Sequence, residues 1–551
     1  MRTALVAGII AVTAAGCTKA SNGQISGTQH SWTHPGVLRI AENTDTTTLN
    51  PVVGVNAVAA DLSPLIYSYT VVFDDHAKPV PDAVTEVPTV ANGDVSRDGL
   101  TLKYKLRHDI KWQDGAQLTC NDLRFTWRVV VNPHTNVAAT DGYRDIKDID
   151  CSDPFVAVVH MKRVYAPYLQ QLWGLSGNAP ILPEHLLGSY LTSPTSINNA
   201  PYNSKPIGSG PFKVIEWQRG TMVRLAANPN YYRGKPRLKE IDYYFEPDEN
   251  TLETQLQTHN IDMIPRGTGL NWPRYQALAN DPKNGLVAVR NDSFAFVHID
   301  FNLKNPILAD VNVRRALAYA TNRQEIIGKI FHGSATASET DQHPKLSWAY
   351  TTDIQHYPYD PDKAKQILDA HGWKLGPDGV RVKKAQRLAV TFSTLTESTG
   401  GREMQALLQR AWRDIGVEAD VKNYSTAQMF QNGAAGVLEG GHYDIAMYVW
   451  VDAADPDNSG RYSSWNFGPT GQNTLFWKND KVDAAERAAL TTADQETRKV
   501  QYAIVQQQMA LDVPTVIISF AKYVSIYNSD LKGFKPSPVI SPYWNAWQYS
   551  I

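Results

Sequence analysis

Two apolar periods take turns along the chain. Alternation with a period of two marks Val37 to Ala41 (VLRIA), Leu100 to Leu106 (LTLKYKL), Phe212 to Trp217 (FKVIEW), Met222 to Ala227 (MVRLAA) and Val417 to Val421 (VEADV) as strands with one buried face. Arg219-Gly220 between the third and fourth predicts a hairpin. The unbroken run Val513 to Phe520 (VPTVIISF) reads as a strand buried on both faces. Helical spacing takes over elsewhere. Thr119 and Asp122 open a helix with Leu123, Trp127 and Val130 on one face, and Asp310 precedes Val313, Leu317 and Ala320. Asp360-Pro361 starts a third helix, carrying Ala364, Ile367 and Leu368 and stopping at Gly372; proline is tolerated at the first helical position because its missing N–H has no partner there. Met404, Leu407, Leu408 and Ile415 form a fourth stripe, ended by Gly416. Strands and helices interleave through both halves, which predicts a mixed α/β chain.

Composition narrows the function classes. At 551 residues the chain has room for about two to four domains. A hydrophobic fraction of 42% with 20% charged residues supports large cores and excludes global disorder. The formal net charge of −2 gives no bulk positive field, so no nucleic-acid partner is expected. No HExxH, paired CxxC or GxSxG arrangement occurs, so neither structural zinc nor a nucleophilic serine site is expected. Gly208-Ser209-Gly210-Pro211 lacks the glycine spacing and lysine of a phosphate-binding loop and precedes a strand, so it is read as structural. His185 is likewise read as a packing or turn residue.

The leader and the cysteines set the compartment. Arg2 followed by the apolar run Ala4 to Ala15 has the length of a secretory h-region, giving a signal peptide over 1–16. The run ends in Ala14-Ala15-Gly16-Cys17, which resembles a bacterial lipobox whose cysteine is lipidated. Ala14 stands where that pattern carries Leu, and ordinary cleavage near Ala15 is the alternative. Residues 17–36 then read as a lipidated Cys17 followed by a polar, flexible tether, on a protein exported to the periplasm or cell surface. Cys120 and Cys151 are the other two cysteines; in an exported chain an even pair most simply forms a disulfide, with two buried free thiols as the alternative.

Eight segments in order resemble one family, the bacterial extracellular solute-binding proteins of family 5, which include the dipeptide- and oligopeptide-binding lipoproteins of ABC importers. They are Thr48 to Pro51 (TLNP), Gly99 to Trp127, Ile181 to Leu186 (ILPEHL), Pro206 to Trp217 (PIGSGPFKVIEW), Asn228 to Phe245, Asp310 to Ile327, Tyr359 to Trp373 and Trp450 to Asn458 (WVDAADPDN). The resemblance implies an α/β, two-lobed periplasmic-binding-protein-like fold of type II with an extra subdomain inserted in lobe I. It implies lobe I at 37–295 plus 527–551, its subdomain at about 60–200, and lobe II at 296–526. The chain would cross between lobes around Phe296 to Phe301 and again around Tyr523 to Tyr527.

The resemblance also implies a role: binding without chemistry, no enzyme and no cofactor. The protein would capture peptides, oligopeptides before dipeptides, between its lobes. It would deliver them to the membrane subunits of an ABC permease, as a monomer held to the membrane by its lipid anchor. Peptides share a terminal ammonium, which needs a carboxylate, and a backbone, which is held by strand addition. The residue matching the family's ammonium ligand is Asp452, three positions before Asp455-Pro456-Asp457-Asn458, with Asp455 as second choice. Trp450 and Val451 would line the cleft beside it, Gly54-Val55-Asn56 would meet the ligand main chain from lobe I, and Phe294 would add a wall. Relatives that fix a ligand carboxylate carry an Arg where Thr394 to Thr399 stands, with no cation here before Arg402, which disfavours strict dipeptides. The alternatives are an oligosaccharide, opine or metal chelate in the same fold, and a lipid-anchored hydrolase.

Overall fold

A computed structural model describes residues 29–551, apart from 55, 56, 138, 139, 141, 176–178, 193–196, 268–271, 432, 470 and 540. The leader and Cys17, and also Val55 and Asn56, lie outside the described residues. Among the described residues no helix is long and apolar enough to cross a membrane.

The strand signals assemble into one 11-stranded sheet that runs through the molecule. Its order is Glu418–Val421, Ala389–Ser393, Ile445–Val451, Leu286–Phe301, Thr515–Asn528, Met263–Gly267, Val37–Glu42, Glu240–Phe245, Met222–Ala227 and Phe212–Gln218, with Ala335–Ala337 added beside Thr515–Asn528. The FKVIEW and MVRLAA segments pair antiparallel as the expected hairpin, and Gly220 takes the left-handed conformation (φ 73°) that its turn requires. Parallel pairs occur in both halves of the sheet: Val37–Glu42 with Glu240–Phe245, and Ala389–Ser393 with Glu418–Val421.

Two long strands join the ends. Leu286–Phe301 and Thr515–Asn528 run antiparallel, from Leu286 opposite Asn528 to Asp300 opposite Thr515. Their register slips between Asp292 and Phe296, where four steps on one strand face two on the other, Lys522 to Phe520. Extra residues on one side of a ladder bend it and sharpen its twist. Separate cores lie on either side of this kink. One is built around Leu38, Ile40, Trp112, Trp173 and Phe212, the other around Val297, Leu317, Leu368, Phe392 and Trp412. This is the two-lobed α/β architecture.

The helix signals act as expected. The Asp310 side chain accepts from the Asn312 N–H and that of Asp360 from the Lys363 N–H, each pairing an amide that the first helical turn leaves free. Val313, Leu317, Ala364, Leu368, Met404 and Leu408 are buried in the second core. Off the main sheet, Thr101–Lys105, Ile146–Asp153 and Val156–Met161 form a small three-stranded sheet against the helix Cys120–Val130. A disulfide joins Cys120, the first residue of that helix, to Cys151 on the sheet, with Cα atoms 5.5 Å apart.

The glycines of Gly208-Ser209-Gly210 are there for close backbone approach. A Cβ on Gly208 would lie 1.8 Å from the Ile66 carbonyl oxygen, and one on Gly210 2.5 Å from the Ile66 carbonyl carbon. The gap they leave is bridged by the Gly210 N–H donating to the Ile66 carbonyl (2.8 Å) and the Gln113 N–H to the Gly208 carbonyl (2.9 Å). Gly208→Ala should therefore cost about 2–3 kcal/mol, the upper range for overpacking, because the clash is with backbone that cannot rotate away. A chemical-denaturation midpoint equal to wild type would refute this.

Candidate functional site

The lobes meet over a cavity of about 540 Å³. Phe73, Tyr168 and Gln170 line it from the N-terminal half, and Lys345, Trp348 and Arg498 from the other. Polar bonds bridge the two sides: the Asp455 N–H donates to Gln170 Oε1 (2.6 Å), and Lys345 Nζ to the Asp75 carbonyl (3.1 Å). Lys345 Nζ also pairs with Asp292 Oδ2 at 3.1 Å, at the kink of the long strands.

The strand Ile445–Val451 ends three residues before the lining residue Ala454, and its own residues stand outside the lining of the cavity. Asp452 continues that strand, its N–H donating to the Phe294 carbonyl (3.1 Å). Successive residues of an antiparallel strand direct their backbone groups to opposite edges. Tyr448 and Trp450 therefore share Asp452's bonding edge, opposite His298 and Phe296. The N–H and C=O of Val449 and Val451 point to the other edge. There Ala389–Ser393 pairs only with Ile445 and Ala446, and the Thr394 hydroxyl takes the Met447 carbonyl (2.9 Å). Beyond that point no strand among the described residues covers the edge, and Val449 and Val451 are 50% and 53% exposed. A free strand edge beside a cleft can bind an extended backbone.

The Asp452 carboxylate is not free. Its Oδ1 accepts from Arg461 Nη1 at 2.6 Å, whereas Oδ2 is buried with no hydrogen-bond partner among the described residues. The Arg461 guanidinium also reaches Asp341 Oδ2 (3.2 Å) and lies 5.2–5.4 Å from the ring centres of Trp450, Phe296 and Tyr462. Burial pushes the Asp452 carboxyl up to about 6, against the pull of Arg461 and with the further push of Asp341. The same carboxylates hold the Arg461 guanidinium firmly charged, well above its ordinary range, despite the opposing effect of burial.

The other sequence-derived residues are spread more widely. Both oxygens of Asp455 are engaged by Arg498, Oδ2 by Nη1 at 2.7 Å and Oδ1 by Nη2 at 2.5 Å, so Asp455 carries its own permanent counter-ion. Trp450 is half-buried and packs with Phe296, Ile517 and Phe520. Phe294 is buried, stacked on His343 at 5.0 Å beneath the cavity. Gly54 is buried against Thr48, whose Cγ2 would stand 2.4 Å from an added Cβ. The sequence reading passed over Arg461, Asp341, Gln170, Lys345, Trp348 and Arg498. One signal was available for Arg498: it heads the buried stripe Arg498, Tyr502, Val505, Met509, and a charge on a buried face needs a partner.

The chain is 25% identical over 507 residues to the oligopeptide-binding protein AppA of Bacillus subtilis, covering 91% of this chain and 89% of that one. Among solved structures it resembles NikZ of Campylobacter jejuni in complex with Ni(L-His), with TM-score 0.75, 25% identity, and coverage of 94% and 100%. It also resembles B. subtilis AppA in complex with a nonapeptide, with TM-score 0.73, 24% identity, and coverage of 94% and 99%. The family model for bacterial extracellular solute-binding proteins, family 5 Middle, matches residues 78–473. A family whose members are binding proteins accounts for two lobes, a bridged cleft and a buried charged wall, and this chain belongs to the bacterial extracellular solute-binding proteins of family 5.

Proposed function

We propose that the protein is the ligand-capturing component of an ABC importer and that it holds peptides in extended form between its lobes. The observation that carries this reading is the pairing of a free strand edge at Val449 and Val451 with a buried carboxylate oxygen one residue further on, at Asp452. The edge supplies main-chain partners for any sequence, and the carboxylate a counter-charge for the terminal ammonium. The oligopeptide-binding relative supports the same ligand class. Trp450 walls the subsite, and Gly54 is the lobe I residue that meets the ligand main chain.

The lobes in this reading are 37–295 plus 527–551, with a subdomain at about 60–200, and 296–526. The register slip at Asp292–Phe296 opposite Lys522–Phe520 supports a hinge a few residues before the expected crossings at Phe296–Phe301 and Tyr523–Tyr527. Val297 and Ile299 already pack in the second core, and Val524 and Ile526 in one with Ala41 and Leu252. Ligand that touches both lobes only when they are closed shifts the population toward the closed form by its differential affinity. The permease then reads the spacing of the closed lobes. Cys17 anchors the protein to the membrane; the end of the expected tether is packed on the body instead, the His30 N–H donating to Asp530 Oδ2 (2.8 Å) and Trp32 stacking on His259 at 3.8 Å. Binding rather than catalysis is the activity, and the structure's net-acidic subsite favours an amine-bearing ligand over a glycan.

Native mass spectrometry of the purified protein tests the reading. Peptides should co-purify intact, and alanine peptides of two to nine residues should raise the unfolding temperature with a length optimum. Recovery of a Ni–histidine complex, with no thermal response to any peptide, would replace the peptide reading by that of a metal chelate, the ligand held by NikZ.

A further inference from the structure

The surroundings of Asp452 contain a counter-ion that no ligand brings. Arg461 is held by Asp452 Oδ1 (2.6 Å) and Asp341 Oδ2 (3.2 Å), and its guanidinium is flanked by the rings of Trp450, Phe296 and Tyr462. The planar cation is thus held by two carboxylates and faces three rings, contacts it would lose by swinging out. Two carboxylates against one guanidinium leave one negative charge uncompensated. Two oxygens of the group remain buried without partners, Asp452 Oδ2 and Asp341 Oδ1. Neither carboxylate lines the inter-lobe cavity itself; Asp452 stands two residues before Ala454, which does, and Asp341 four before Lys345.

We propose that Arg461, shared between Asp452 and Asp341, is the positioning residue that sets the charge specificity of the cleft, leaving the subsite one carboxylate oxygen and one negative charge for a single ligand amine. This deepens the peptide reading and rests on it. Without Arg461 the cleft would hold two uncompensated buried carboxylates, of which at least one would take up a proton. Without Asp341 the Asp452–Arg461 pair would be neutral and would have little use for a ligand cation. The natural arrangement lies between these states.

The groups facing Asp452 come from several elements. Arg461 and Tyr462 lie on the helix Ser459–Tyr462, His298 on the strand Leu286–Phe301, and Asp341 on the segment after Ala335–Ala337. Glu486, on the helix Asp480–Leu490, faces Asp341 and Arg461 in turn, and both its oxygens are buried without partners among the described residues. His298 is committed through Nδ1 to Asp300 (2.8 Å). Of these groups, Arg461 pulls Asp452 toward ionisation and Asp341 pushes it away, so the two act in opposite directions.

That opposition supplies the test. The best-bound alanine peptide and its N-acetyl form are titrated calorimetrically against wild type, Arg461→Gln, Arg461→Lys and Asp341→Asn between pH 4.5 and 9. Affinity for the free-amine peptide should fall on the acid side of a midpoint set by Asp452. Arg461→Gln should move that midpoint up by about one pH unit or more, Asp341→Asn should move it down, and Arg461→Lys should restore most of the wild-type value. Asp341→Asn should also lower the preference for free over acetylated amine at pH 7 by about tenfold. Should Arg461→Gln fail to fold, Arg461→Lys and Asp341→Asn still fix the sign. Weakened binding with all midpoints unmoved would mean a merely structural Arg461 and overturn the proposal, leaving the peptide reading intact. No affinity of wild type for any alanine peptide at any pH would overturn both.

Discussion

Replacing Asp452 by Asn should abolish the preference for a free-amine peptide, weakening capture at pH 7 by about a hundredfold or more. Asn keeps the shape of the side chain and loses the charge, so the cost is that of removing one partner from a buried, hydrogen-bonded charge pair, about 2–5 kcal/mol, equivalent to tens- to thousands-fold in affinity. The N-acetylated peptide has no ammonium and should bind wild type and variant with nearly equal, weak affinity. The four affinities form a double-mutant cycle that isolates the carboxylate–ammonium interaction from any general damage to the cleft. Equal losses for the two peptides would show that Asp452 serves the fold and not the ligand.

The same carboxylate sets the pH window. Burial raises Asp452 to about 6, and the ammonium needs its ionised form. Below that value a proton must leave before ligand can pair, so affinity should drop about tenfold for each pH unit. Above about pH 8 the peptide's own α-amine, with an ordinary value of about 7.7–8.0, begins to lose its charge. Capture should therefore be greatest between about pH 6 and 8, and the acid limb should vanish in Asp452→Asn. An acid limb that persists in the variant would assign it to another group.

How far the sequence carries depends on whether a feature is local. The caps at Asp310 and Asp360, the Arg219-Gly220 hairpin and the apolar stripes were legible because each is decided within about one or two turns of chain. The Cys120–Cys151 pair was legible by counting. Asp452 stood out through its neighbours in WVDAADPDN, but its charge environment did not. Asp341 lies 120 residues before the Arg461 it pairs with, and no periodicity marks either one. The kink at Asp292–Phe296 is equally silent, since a register slip depends on the partner strand and leaves the alternation of its own strand almost unchanged. Gly208 and Gly210 announced a special backbone, but only the Ile66 carbonyl shows what they make room for.

The largest effect on stability should come from removing the disulfide. Cys120→Ala with Cys151→Ala frees a loop spanning a sequence separation of 31, which in the chain-entropy model costs about 3–4 kcal/mol. The loss should be local. Cys120 starts the helix Cys120–Val130, and Cys151 sits on Ile146–Asp153, so the bond clamps a helix onto a three-stranded sheet that stands apart from the main one. Amide exchange across Thr101–Lys105 and Val156–Met161 should accelerate by two to three orders of magnitude, while Ala389–Ser393, in the other core, should keep its wild-type protection. Uniform acceleration in both cores would instead make the bond a global staple. Because Trp173, Tyr104 and Tyr143 pack edge to face within the same core, the helix and sheet should still fold together without the bond. Tyr168 and Gln170, which line the cavity, stand on the segment between that sheet and Trp173. Their placement should loosen rather than collapse, so peptide affinity should fall only a few-fold, far less than for Asp452→Asn. The contrast would separate residues that keep the cleft in shape from the one proposed to recognise the ligand's charge.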